Sequence, residues 1–250
     1  MGSTMRKLPV NVTDRERLLF CIDNTVQNVE LSEHLVGEPF ERATPIRDFC
    51  AWPGKRNYEG MWWSSTICAH VPFESLLERE YLLSADFDPH VVGLAAQPLA
   101  ILWPRGTPHS TSHTPDFFVR LDDGGGRIVD VRHPDRVAAS AQQSALTQRL
   151  CDQIGWEYEQ FTGLAGTLAA NLRWLAGYRH DRHTPDAWVR DALIASFTEP
   201  TPLHDGIARA STVADIEPGT VTCGVFHLLW RRTLYVDLDR PLSMRSQVSA

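Results

Sequence analysis

One stretch constrains this chain more than any other. It is Thr114-Pro115-Asp116, followed by a glycine turn and then Asp130-Val131-Arg132. Phe117-Phe118-Val119-Arg120-Leu121 and Arg127-Ile128-Val129-Asp130-Val131-Arg132 read as the two strands of a hairpin. Asp122-Asp123-Gly124-Gly125-Gly126 is its turn, the glycines supplying positive φ. Side chains alternate across a strand, so Asp130 and Arg132 share a face. With Leu121 opposite Arg127, Asp116 lies opposite Arg132, Phe118 lies opposite Asp130, and all four point the same way. Such neighbours sit roughly 5 to 8 Å apart. Two carboxylates and a guanidinium on strands otherwise built of Phe, Val, Ile and Leu suit a hard divalent ion. Mg²⁺ is held by one or two carboxylates with phosphate and water, and a bound ion of this kind polarises a phosphodiester and activates water. The plain alternative is a surface hairpin with a cross-strand salt bridge from Asp116 or Asp130 to Arg132.

A chain of 250 residues has room for one large or two small domains. At 43% hydrophobic and 22% charged it has an ordinary globular composition. No run approaches the ~20 apolar residues of a membrane span. The first residues hold no apolar leader core. Both observations predict a cytoplasmic protein that does not engage a membrane. The five cysteines form no C-x-x-C pair, so reduced, buried thiols are expected rather than a zinc site. His109 with His113, and His180 with His183, read as surface pairs. The net charge of −7 has the wrong sign for a protein that grips nucleic acid unaided. The only lysines are Lys7 and Lys55.

Residues 1–60 read as an arm with one short buried strand at Leu18–Ile22 and a Pro/Gly-rich segment from Pro45 to Gly54. Trp62 and Trp63 either enter a core or stack on bases. Phe73–Leu83 predicts a helix with Phe73, Leu76, Leu77 and Tyr81 on its apolar side. Glu74 and Glu78 lie together beside that stripe, and Pro89 ends the helix. Strands follow at Val91–Pro98 and Leu99–Trp103. After the hairpin come a helix over Arg136–Ile154, a strand over Trp156–Phe161 and a helix over Leu164–Tyr178. This order gives an α/β core with a mixed sheet over residues 61–178. The polar run Arg179–Asp186 marks a boundary. Residues 185–250 then hold helices at Ala187–Phe197, Leu203–Ala210 and Val221–Trp230, and a strand over Thr233–Asp239. Three helices and a strand resemble a winged helix. With six arginines against eight acids, and with Val225, Phe226, Leu228, Leu229 and Trp230 on the third helix, the unit is expected to dock protein rather than read bases. The alternative is that these five residues are its core.

Glu78, Pro115-Asp116 and Asp130-Val131-Arg132 together resemble the PD-(D/E)xK nuclease pattern. Val71–Arg79, Asp88–Val92, Gln97-Pro98 and Thr114–Phe117 narrow it, being similar to TnsA-like endonuclease subunits of heteromeric transposases over about Pro45 to Phe161. The resemblance implies a restriction-endonuclease-like core followed by the winged-helix-like domain. It further implies a Mg²⁺-dependent endodeoxyribonuclease, with Mn²⁺ as substitute, that cuts DNA at transposon ends. Its partners would be a DDE-type transposase and an ATPase regulator. The implied catalytic set is Glu78, Asp116, Asp130 and Arg132. The implied metal set is Glu78, Asp116, Asp130 and the Val131 carbonyl, with Glu74 the alternative helix acid. Arg132 stands where the family has lysine. Its guanidinium stabilises phosphorane charge but does not act as a base. Two other readings follow: a catalytically weak adaptor on a nuclease fold, and a stand-alone repair or restriction nuclease. The latter calls for a basic cleft that the sequence lacks.

Overall fold

A computed structural model describes residues 8–46, 58–108 and 111–250. Lys7, Lys55, Cys50, His109 and most of the Pro/Gly-rich segment lie outside the described residues. The chain is mixed α/β, and its contacts divide it into two units. The first comprises residues 1–82 and 90–163, the second residues 83–89 and 164–250.

In the first unit, β1 (Arg17–Ile22) and β2 (Thr25–Glu30) form a hairpin, and β3 (Gly60–Ser64) and β4 (Ala69–Phe73) form another. The tryptophan pair lies in β3, half-buried, with Trp63 edge-on to His70 at 5.2 Å. Helix α1 (Leu76–Phe87) follows. It starts later than its apolar spacing predicts because Phe73 belongs to β4. It ends before Pro89, as expected. Then come β5 (Val91–Ala96), β6 (Leu99–Leu102), β7 (Ser112–His113), β8 (Phe117–Leu121), β9 (Gly126–Val131), α2 (Val137–Ile154) and β10 (Glu157–Phe161). Gly155, in the left-handed region at φ 87°, closes α2 with its N–H on the Cys151 carbonyl.

These strands make two sheets, in the orders β2-β1-β6-β7 and β10-β9-β8-β5. In the second sheet β5, β8 and β9 are antiparallel, and α2 carries the chain over to β10, parallel to β9. The alternation of apolar residues gives this sheet two buried faces. Phe117 stacks on Tyr81 of α1 at 5.2 Å, and Phe161 meets the same ring at 5.3 Å. On the other face Phe118, Ile128 and Trp156 join Leu18, Phe20, Leu99 and Ile101 of the first sheet, and Leu150, Cys151 and Ile154 of α2. Phe40 sits at the hub, its ring 4.7 to 5.5 Å from Phe20, Phe118 and Trp156.

The hairpin turns where expected, but Gly126 joins β9, so the turn is shorter than Asp122–Gly126 and the register differs from the expected one. Val119 faces Arg127, Phe118 faces Ile128 and Phe117 faces Val129. The strands are therefore offset by two residues from the reading that set Leu121 against Arg127. Gly126 is the reason. It pairs with Arg120 inside the ladder, and a Cβ there would come within 2.8 Å of the Phe118 and Trp156 rings. An offset of two preserves which face each residue occupies. It places Asp116 across from Asp130 rather than Arg132.

The second unit contains α3 (Gly166–Leu175), α4 (Ala187–Ser196), β11 (Thr201–Pro202), α5 (Leu203–Ala214), α6 (Pro218–Trp230), β12 (Tyr235–Val236) and β13 (Gln247–Ser249). Its strands lie in the order β11-β13-β12. The sequence reading put the boundary at Arg179–Asp186, yet α3 belongs here. Asn171 of α3 donates to the Leu238 and Arg240 carbonyls and accepts from the Leu242 N–H. The expected strand over Thr233–Asp239 shrinks to Tyr235–Val236. Val225, Phe226, Leu228, Leu229 and Trp230 are all buried in this unit, so they are its core and not anchors for a partner. Phe226 stacks among Trp174 and Tyr178, and Trp230 meets Phe87.

The described cysteines are all free, but the expectation of buried thiols holds only for Cys151. Cys68 is exposed, while Cys21 and Cys223 are half-buried. Among the described residues, no helix is long and apolar enough to cross a membrane.

Candidate active site

Four segments of the first unit converge where β8 begins and β9 ends. Asp116 enters β8 with its backbone N–H on the Val129 carbonyl, at 3.0 Å, and its own carbonyl accepts from the Gln97 N–H at 2.9 Å. Its carboxylate turns back over β9. Oδ2 accepts from the Val131 N–H at 2.7 Å and from Arg132 Nη1 at 3.0 Å. Arg132 Nη1 also donates to the Val131 carbonyl at 2.9 Å, and Nη2 lies 3.5 Å from Asp130 Oδ1. One guanidinium thus spans both carboxylates, which agrees with the cross-strand salt bridge weighed as the plain reading.

Helix α1 brings Glu78 to this point by local chemistry. Ser75 and Glu78 form a capping box. The Ser75 hydroxyl donates to Glu78 Oε1 at 2.9 Å, the Glu78 N–H donates to Ser75 Oγ at 3.1 Å, and the Glu74 N–H donates to Glu78 Oε2 at 2.7 Å. A carboxylate in the first helical turn is also favoured by the helix dipole. Glu74 is placed separately and accepts from the Gln97 side chain at 3.1 Å. Gln97 holds a left-handed backbone, φ 46°, between β5 and β6. It ties the Glu74 and Asp116 segments together.

Burial, then the charge of Asp130, pushes Asp116 up to about 7. Arg132 and the Val131 N–H oppose this, and Glu78 adds to it. Asp130 goes the other way. Burial acts to raise it, but the hydrogen bond and charge of His113, the charge of Arg132 and the Tyr158 hydroxyl hold it below the ordinary carboxylate value.

The sequence reading took His113 for a surface residue and gave Tyr158 no role at the site. His113 Nε2 lies 2.9 and 3.0 Å from the two oxygens of Asp130, and the Tyr158 hydroxyl donates to Oδ2 at 2.9 Å. Gln143 of α2 donates its amide N–H to His113 Nδ1. Beside them Gln160 donates to Ser144 at 2.8 Å. His113 is buried, not a surface residue. One signal was present. The first half of α2 carries Ser140, Gln143 and Ser144 where a helix covering a sheet would present apolar residues.

Among the described residues, no three His, Cys, Asp or Glu side chains group as a metal cage. The residues do fit a single hard cation held by few protein donors. Mg²⁺ needs only one or two carboxylates beside water and phosphate. Asp116 and Glu78 are two such carboxylates, and the charge of Glu78 acts on Asp116. The site is polar and acidic, beside a buried core that includes Phe118 and Trp156.

Compared with known proteins, the chain matches no family model and no curated protein.

Proposed function

We propose that this protein is a metal-dependent DNA endonuclease of the PD-(D/E)xK type, the cutting subunit of a heteromeric transposase. One observation carries the reading. Asp116 stands immediately before β8, Asp130 and Arg132 stand at the end of the adjacent β9, and Glu78 of the preceding helix contributes to the field at Asp116. The order helix, three antiparallel strands, helix, then a strand parallel to the third supports a restriction-endonuclease-like core. In residues 185–250, the order helix, strand, helix, helix, strand, strand, with the last strand central in the sheet, supports a winged-helix-like unit.

Asp116 and Glu78 are the side chains that would hold Mg²⁺ or Mn²⁺. A bound ion supplies polarisation of the phosphodiester and water of lowered pKa. Arg132 is aimed by its fork and neutralises charge developing on the phosphoryl oxygens. It takes no proton, since guanidinium does not deprotonate in proteins. The Val131 N–H orients Asp116 from behind. The net charge of −7 fits a subunit delivered to transposon-end DNA by a DDE-type transposase and its ATPase regulator, rather than one that grips DNA alone.

The test is nicking of plasmid DNA by the purified chain with Mg²⁺ or Mn²⁺. Asp116→Ala should abolish it while leaving the melting temperature equal or higher. Wild-type rates in that variant would overturn the reading. The adaptor alternative draws support from Arg132, which already spans both carboxylates. It predicts no nicking by any form of the chain, Arg132→Lys included.

A further inference from the structure

Asp130 is held by more donors than a strand residue needs. His113 Nε2 faces both oxygens, Tyr158 donates to Oδ2 and Arg132 approaches Oδ1. The donors come from β7, β10 and the residue after β9. His113 is itself fixed, because Gln143 of α2 bonds its Nδ1 while its Nε2 faces Asp130. The Asp130 side chain is 1% exposed and that of His113 is 4% exposed. The Asp116 side chain is 13% exposed and the Arg132 side chain 24%. A cation arriving from solvent therefore meets Asp116 first. It would reach Asp130 only by breaking bonds to His113 and Tyr158 in a buried setting, where a donor left unpaired is costly.

We propose that Asp130 is not a metal donor but the anchor of Arg132, and that His113 and Tyr158 are the positioning residues that hold it. The proposal rests on the nuclease reading for the role of Arg132. A cation held by Asp116 would compete with the guanidinium for that carboxylate, whose Oδ2 is the 3.0 Å partner of Arg132. What then keeps the fork in place is Asp130 together with the Val131 carbonyl at 2.9 Å. Because its other contacts are sealed, Asp130 does not follow the cation. The third acid of the pattern thus supports the phosphate-facing cation rather than the metal.

Two measurements on the full chain test this. The first is Mn²⁺ affinity by electron paramagnetic resonance. Asp116→Asn should weaken binding by about tenfold or more, equivalent to ~1.4 kcal/mol. Asp130→Asn and Tyr158→Phe should change it by less than about threefold, or ~0.7 kcal/mol. Equal loss in Asp130→Asn and Asp116→Asn overturns the proposal. The second reads Arg132 directly through its guanidinium ¹⁵N signals. Slow rotation should give separate Nη resonances in the wild type, and these should coalesce in Asp130→Asn and His113→Ala. Tyr158→Phe, the mildest change, should speed rotation without unfolding. Unchanged Arg132 signals in all three variants overturn the anchor. If the wild type binds no Mn²⁺, the metal reading fails by itself, and the rotation measurement alone decides the anchor.

Discussion

Asp116→Asn should stabilise the protein, in a manner that depends on pH. The Asp116 carboxyl moves from an ordinary 3.8 in the unfolded chain to about 7 when folded. At 1.36 kcal/mol per unit, that is about 4 kcal/mol. The sign follows from proton binding. Between pH 4 and 7 the folded state keeps the Asp116 proton and the unfolded state has lost it, so stability falls as pH rises through this window and is level above it. Asparagine carries no charge and retains an oxygen to accept from the Val131 N–H. The variant and wild type should be nearly equal near pH 4, and the variant should lead by up to about 4 kcal/mol at pH 7 and above. Urea unfolding of both proteins at steps from pH 4 to 8 measures the gap. Taking the difference removes groups common to both, such as His180 and His227, whose depressed pKa values act in the opposite direction. Asp130, held low, contributes only below pH 4. Saturating Mg²⁺ should stabilise the wild type more than the variant and narrow the gap. A gap that stays constant from pH 4 to 8 would refute the reasoning, because it would mean that Asp116 titrates alike in both states.

The capping box allows charge and structure to be separated. Ser75→Ala should cost about 1 kcal/mol and leave Mn²⁺ affinity unchanged, whereas Glu78→Gln should keep most of the stability and lose affinity, both read by urea titration and metal binding. Gly126→Ala should destabilise the first unit by about 1–3 kcal/mol, because its new methyl meets the Phe118 and Trp156 rings at 2.8 Å; an unchanged urea midpoint would contradict the register of the hairpin. Among the thiols, a disulfide reagent should modify exposed Cys68 in the native protein. Cys151, pushed up to about 12 by burial and the neighbouring Asp152 and Asp130 charges, should react only after unfolding; mass spectrometry of the labelled peptides distinguishes the two.

Much of this architecture is legible in the residues alone because its causes are local. Alternating apolar residues and a glycine turn specify the β8–β9 hairpin, and Pro89 and Gly155 stop α1 and α2 within a residue or two of the expected points. The two-residue alternation is also why Asp116, Asp130 and Arg132 meet even though the register is offset. An offset of two changes which residues pair and leaves the faces intact. Glu78 could have been assigned its cap from Ser75 three residues before it, since that pattern is local as well.

What only the tertiary structure decided depends on contacts between distant segments. Asp130 is paired with His113 from another sheet and with Tyr158 across the α2 crossover, and no periodicity of either segment records that meeting. The apolar third helix of the second unit posed the same problem in reverse. Its sequence is equally consistent with an anchor and a core, and the packing of Trp174, Tyr178 and Phe87 around it decides for the core. Hydrophobic pattern specifies that a face must be covered, whereas the chain's own topology determines what covers it. The same division holds at the site. The sequence places the carboxylates, and the fold determines which one faces solvent and which is sealed behind His113.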